Sequence, residues 1–283
     1  MTAPPFALVL AGGGARGFAH AGVLRALEDM GLRPSALVGV SMGSVIAVTY
    51  ALRDDWYEAL LALDTTGAPS PGAGHGSRAS VGGPGVRRAW ADARAAWSLL
   101  SGWGAPDEAV AAGRRSLESV VSHQRLEDCR IPVTVCATDL LSGSRVEMNS
   151  GPAATAVLAS SSLAGVLPPV EIDGRLLVDG VYADIAPVDV AHDMGAPVVI
   201  AVDPTQPKTP TPPRNGLQVV MRAMEICHMN HTHERIGTAD LVIRPEFDGF
   251  VDVLDFGKRE MCVEAGRRAT VEAEQRIRGL LAR

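Results

Sequence analysis

Two strand–glycine–helix turns stand within the first 53 residues, and no other feature limits the fold of this chain as much. Residues 6–11 (FALVLA) run into Gly12-Gly13-Gly14-Ala15-Arg16-Gly17 and a helical stretch, 17–30. Residues 36–40 (ALVGV) run into Ser41-Met42-Gly43 and a second helical stretch, 42–53. Short apolar strands with little alternation are buried on both faces, which requires helices above and below a mostly parallel sheet. Further strands are expected at 132–138, 175–178, 197–202 and 240–243, with helices at 152–160, 187–194, 216–236 and 258–282. No internal repeat interrupts this α/β alternation.

The pattern breaks between the second helix and the third strand. Thirteen of the 21 residues at 65–85 are Gly, Pro or Ser, the composition of a loop. After it, Val86, Trp90, Ala93, Trp97 and Leu100 form one apolar helical stripe. The stripe reads as a cap helix packed on the body; the sharper alternative is a lid at 86–103 that meets a lipid surface. A proline-rich stretch at 204–216 reads as a semi-rigid connector.

Composition excludes several classes. An apolar fraction of 47% supports a sizeable core, and a net charge of −6 argues against nucleic acid as a partner. No apolar run reaches the length of a membrane span, so the expectation is a cytoplasmic protein, peripheral to a membrane at most. Cys129, Cys136, Cys227 and Cys262 lack any C-x-x-C spacing and read as small buried hydrophobes. His228, His231 and His233, spaced by three and two, do not share one helix face, so no metal site is expected there.

Gly12-x-Gly14-x-x-Gly17 has the form of a dinucleotide fingerprint, but the second strand ends in Gly39-Val40-Ser41 with no carboxylate for a ribose. The other use of such a turn is electrostatic. Successive backbone N–H groups of this glycine cluster, near a helix start, can face a developing oxyanion. Arg16 either adds a fixed cation for a phosphate or carbonyl oxygen, or makes a structural ion pair. His20, on the first helix, reads as structural.

Gly39-Val40-Ser41-Met42-Gly43 has the G-x-S-x-G form, in which a sharp strand-to-helix turn exposes a nucleophilic hydroxyl. Such a serine needs a base, and no histidine is placed as a triad member. Three aspartates end or join strands. Asp173 sits in a hairpin signal and Asp203 precedes a proline. Asp179 follows the strand 175–178, with Gly180 free to bend the chain, and is the favoured partner for Ser41.

With these residues in view, the chain resembles the patatin-like phospholipases, particularly compact bacterial proteins related to the esterase domain of neuropathy target esterase. The resemblance is carried by LAGGGARGFAHAGVLRALEDMG, LVGVSMGSVIAVTYAL, the segment from ASSSLAGVLPP through RLLVDGVYADIAPVDV to AVDP, and ADLVIRPEFDGF. It spans nearly the whole chain except about 64–120. It implies a three-layer α/β/α sandwich, similar to acyl transacylases, as a single domain over 1–283 with a variable cap or lid insertion at about 64–120.

The resemblance further implies a carboxylic ester hydrolase of EC 3.1.1 type acting on phospholipids, lysophospholipids or other acyl lipids without cofactor or metal. Its Ser-Asp dyad maps onto Ser41 and Asp179, its oxyanion loop onto Gly12, Gly13 and Gly14 with Arg16 alongside, and its motif glycines onto Gly17, Gly39, Gly43 and Gly180. One position departs: the family's Asp-Gly-Gly or Asp-Gly-Ala reads Asp179-Gly180-Val181 here. A β-branched residue resists positive φ, so a turn that demanded it would spoil the dyad. That departure motivates a second reading, a catalytically weak lipid-binding or regulatory protein of the same fold.

Overall fold

The computed structural model describes residues 5–65, 107–121, 123–164, 166–206, 212–213 and 216–282. The tryptophan stripe at 86–103 and most of the expected cap therefore lie outside the described residues.

Eight strands form one sheet: β1 (Phe6–Leu10), β2 (Ala36–Val40), β3 (Val133–Asp139), β4 (Arg145–Met148), β5 (Val170–Ile172), β6 (Arg175–Asp179), β7 (Val198–Val202) and β8 (Leu241–Ile243). β1, β2 and β3 carry no exposed residue: β1 and β2 are apolar throughout, and β3 (VTVCATD) buries Thr134, Thr138 and Asp139 with its apolar residues. The pairs β8–β7, β7–β1, β1–β2 and β2–β3 are parallel. β4 and β6 pair antiparallel to β3, and β5 antiparallel to β6, so the sheet is mixed at this end.

The helices are α1 (Ala19–Asp29), α2 (Met42–Leu52), α3 (Trp56–Leu61), α4 (Asp107–Val121), α5 (Ala153–Ser160), α6 (Val188–Asp193), α7 (Gly216–Ile236), α8 (Arg259–Glu272) and α9 (Glu274–Leu280). They cover both faces of the sheet. Leu8, Leu10, Leu24, Ile46 and Val157 belong to the larger core on one side; Val9, Val38, Val188 and Val190 belong to the smaller one on the other. β1 contributes alternate residues to each, as the period of a strand dictates.

The register on β3 explains how distant residues meet. Val135 and Cys136 pair with β2 on one edge and β4 on the other, while Ala137 and Thr138 pair with β4 and β6. β2 and β6 therefore share the same edge of β3, running toward each other. β2 ends with Val40 opposite Cys136, and β6 ends with Asp179 opposite Ala137. Residues 41 and 179 abut because their strands stop at adjacent steps of one ladder.

The sequence missed three kinds of element. β4 (RVEM) and β5 (VEI) are short and interrupted by charged residues, so neither stands out as an apolar run as LVI of β8 does. α3 and α4 lie on either side of the expected loop and stripe, in stretches to which no element was assigned. The single helix expected at 258–282 divides at Ala273, whose N–H closes α8 before α9 begins.

Candidate active site

Ser41 stands between β2 and α2 with φ 53° and ψ −127°, one of two non-glycine residues at positive φ among the described residues. Its carbonyl accepts the first α2 bonds, from Ser44 N–H at 2.9 Å and from the Ser44 hydroxyl at 2.7 Å. Only glycine fits at position 43, where a Cβ would fall 2.1 Å from the Leu10 carbonyl oxygen. A Cβ on Gly39 would press on Ser44 Cα at 2.5 Å. The backbone is thus forced into a tight elbow, and its hydroxyl points toward the end of β6.

There the Ser41 Oγ donates to Asp179 Oδ2 at 2.7 Å. The other oxygen, Oδ1, accepts the Val181 N–H at 3.0 Å. The Asp179 N–H donates to the Ser162 carbonyl at 2.9 Å, and its carbonyl accepts the Thr138 hydroxyl at 2.8 Å. Burial pushes the Asp179 carboxyl up to about 7, against the two hydrogen bonds that favour its ionised form. Gly180 lets the chain leave closely: a Cβ there would lie 2.3 Å from the Cys136 carbonyl oxygen.

The glycine loop covers the same edge. Gly12 donates its N–H to the Ile185 carbonyl at 3.1 Å, so its expected role as an oxyanion donor is corrected to one of close packing. The N–H groups of Gly13 and Gly14 have no partner among the described residues. The Ala15 N–H donates to the Val253 carbonyl at 2.8 Å and pins the loop from above. Gly17 lies against Met42, the residue after the serine, where a Cβ would meet Met42 Cγ at 2.6 Å. Below the loop, His20 Nε2 donates to the Ala11 carbonyl at 2.8 Å while Nδ1 is buried without a partner, which fixes the neutral tautomer. Burial lowers His20 to about 4.

Arg16 is 3% exposed, and its Nη2 donates to Glu225 Oε1 of α7 at 3.0 Å. Of its two sequence readings, the structure contains the ion pair. Val181 lies in a one-turn 3-10 helix, Gly180–Tyr182, and its φ is not positive. The strain considered for it does not arise, because the turn after Asp179 is helical rather than left-handed. Its side chain packs against Gly12 instead, with Cγ1 2.3 Å from where a Cβ on that glycine would stand.

Asp173, at φ 50°, makes the β5–β6 hairpin turn. Asp203 holds Thr205 and Arg244. His228 packs edge-on against Tyr182 with ring centroids 5.4 Å apart, and the side chains of His231 and His233 lie outside the described residues. Among the described residues no cluster of His, Cys, Asp and Glu could hold a metal ion. Sequence reasoning missed Thr138, Ser160 and Ser162, whose contacts depend on nonlocal register. Ser160 Oγ accepts the Ser41 N–H at 2.9 Å.

A model of the family described as patatin-like phospholipase matches residues 8–192. The chain belongs to this family. It is similar to lysophospholipase NTE1 of Mycosarcoma maydis, 35% identical over 200 residues that cover 69% of this chain and 9% of that protein. It is 32% identical over 206 residues to an uncharacterized NTE family protein of Mycobacterium bovis, covering 71% and 49% respectively. Patatin-like phospholipase domain-containing protein 6 of Mus musculus is 35% identical over 205 residues, 72% of this chain and 14% of that one. The chain thus spans about half, or much less, of the length of these relatives. Among solved structures, VipD from Legionella pneumophila superposes with a TM-score of 0.53 at 15% identity, over 99% of this chain and 67% of that one, a likeness of fold.

Proposed function

We propose that the chain is a serine acyl hydrolase of lipid esters working through a Ser41–Asp179 dyad. The single observation that carries the reading is the 2.7 Å bond from Ser41 Oγ to a desolvated carboxylate at a strained elbow. A hydroxyl is a weak nucleophile until a base takes its proton, and a base is most effective when its pKa lies near the working pH. Burial brings Asp179 to about 7, where a free aspartate would be too weak.

Ser41 Oγ attacks the ester carbonyl carbon as its proton passes to Asp179 Oδ2. The oxyanion forms against the unpartnered N–H groups of Gly13 and Gly14, a contribution of several kcal/mol in sites of this kind. The intermediate collapses as Asp179 returns the proton to the leaving alcohol oxygen, leaving acyl-Ser41. Water then attacks the acyl carbon, Asp179 accepts its proton, and the second collapse restores the Ser41 hydroxyl and releases the fatty acid. Every step uses groups of the chain and water.

The substrate class, phospholipid or lysophospholipid, is supported by family membership and by the names of the relatives. No helix among the described residues is long and apolar enough to cross a membrane. The decisive experiment is Ser41→Ala assayed on a p-nitrophenyl ester and on lysophosphatidylcholine. Loss of both activities with an unchanged melting curve is expected; turnover retained by the variant removes the mechanism.

A further inference from the structure

The parallel ladder between β2 and β3 begins with the Leu37 N–H donating to the Pro132 carbonyl at 2.9 Å. Such ladders advance by two residues on each strand. The next steps are Gly39 to Thr134 and then Ser41 to Cys136. At that third step the bond is replaced. Ser41 N–H donates to Ser160 Oγ at 2.9 Å, and Ser160 Oγ donates to the Cys136 carbonyl at 2.6 Å. A hydroxyl has been inserted into the ladder where the strand must swing away into positive φ.

Ser160 is the last residue of α5, fully buried. Two residues on, the Ser162 carbonyl accepts the Asp179 N–H at 2.9 Å. One turn of chain therefore holds the backbone of both dyad members, which are 138 positions apart. Without the hydroxyl, the Ser41 N–H and the Cys136 carbonyl would be left facing each other across a gap with no partner. The elbow could close that gap only by turning Ser41 back toward the sheet, away from Asp179.

We infer that Ser160 is a positioning residue, whose hydroxyl relays the interrupted ladder bond and thereby holds Ser41 within reach of Asp179. It touches no reacting atom and acts through the backbone of Ser41. The inference rests on the dyad reading above.

Ser160→Ala, with Ser161→Ala as the control, tests it. The Ser161 hydroxyl is buried without a partner among the described residues, and its removal leaves the relay intact. Three measurements are compared with wild type: the kinetics of a p-nitrophenyl ester (kcat and KM) across pH, the rate of Ser41 labelling by a fluorophosphonate, and the melting temperature. Ser160→Ala is expected to lower kcat and the labelling rate together by about 10- to 100-fold, the cost of displacing a reacting group by an ångström, with KM unchanged. The acid limb should also move to higher pH, because the Ser41 bond that favours the Asp179 carboxylate is weakened. Tyr182 is the neighbouring titratable group that feels Asp179's charge; its hydroxyl, pushed up to about 12, stays neutral through this range.

Ser161→Ala should match wild type in kinetics and labelling, and should not melt below it, since the hydroxyl removed is buried without a partner among the described residues. A Ser160→Ala protein that loses melting temperature alone, with kcat, labelling and limb unchanged, overturns the inference. If that variant does not fold, Ser160→Cys fills the same volume with a weaker donor and acceptor; wild-type kcat and limb in it are equally fatal. Failure of wild type itself to label would overturn the dyad reading as well, which separates the two failures.

Discussion

Ser41 and Asp179 meet through a 2.7 Å hydrogen bond in which the carboxylate has no exposure to match its charge: Asp179 is 2% exposed. Desolvation raises the acid and ionisation makes it a base, so the pair is poised where the two effects balance near neutrality. The kcat/KM profile for ester hydrolysis should therefore rise through an acid limb centred near pH 7. Asp179→Asn should lower kcat on the order of 10³-fold or more and leave no limb there. Initial rates between pH 5 and 9 decide it; a limb near 4 would mean that the base is a solvated carboxylate elsewhere.

The elbow tolerates no side chain at position 43. Gly43→Ala places a methyl 2.1 Å from the Leu10 carbonyl oxygen and 2.7 Å from its carbon, both backbone atoms of the segment leading into the glycine loop. The expected cost is about 3 kcal/mol of stability, with loss of labelling at Ser41. Gly113→Ala is the contrast, since nothing lies within 4 Å of its Cβ and the position is inside α4. It should gain about 0.5–1 kcal/mol, read from urea midpoints. Equal midpoints for the two variants would contradict the packing described.

How much of this was legible depended on whether the cause was local. The elbow was readable because an apolar strand, two glycines and a serine are contiguous. Asp179 was readable because RLLV ends in Asp-Gly. Ser160 was not, because its importance comes from a register on β3 that joins three distant segments. The mixed end of the sheet escaped for the same reason: the RVEM sequence of β4 says little until β3 lies beside it. The effect of Val181 stayed conditional because its residue type was visible while its φ was not. The oxyanion role of Gly12 failed on one nonlocal bond, to Ile185.

α7 has few buried residues among those described and is tied down by polar contacts: Glu225 to Arg16 and Arg235 to Asp184 at 2.7 Å. Glu225 also meets Arg222 at 2.6 Å. Glu225→Gln would leave the Arg16 guanidinium, 4% exposed in its side chain, without its ion partner. Removing one partner of a fully buried pair costs several kcal/mol, but Glu225 is 27% exposed, which reduces the figure to about 1–3 kcal/mol. A lower melting temperature that varies little with salt is the expected result. A strongly salt-sensitive loss would assign the pair to the solvated surface.

Two buried groups make opposite demands on pH. Asp179 titrates near 3.8 when unfolded and near 7 when folded, so in between the folded state holds a proton that the unfolded state has released. Its contribution to stability is full below 3.8 and is lost as pH rises through 7. His20 moves the other way, from 6.5 unfolded to about 4 folded, so there the unfolded state holds the extra proton. Its contribution is full above 6.5 and is lost as pH falls through 4. Between about 4 and 6.5 each group supplies one proton with opposite sign, and the two slopes cancel. Asp179→Asn should expose the His20 slope, with stability rising by about 2–3 kcal/mol from pH 4.5 to 6.5 relative to wild type. His20→Gln should expose the Asp179 slope, falling by a similar amount, and the double variant should track wild type again. Urea midpoints at the two pH values measure all four proteins, and carboxylates with depressed pKa values, such as Asp189 and Asp248, drop out of the differences. If Asp179→Asn runs parallel to wild type, the carboxyl is not desolvated, and the matched base proposed for Ser41 is lost with it.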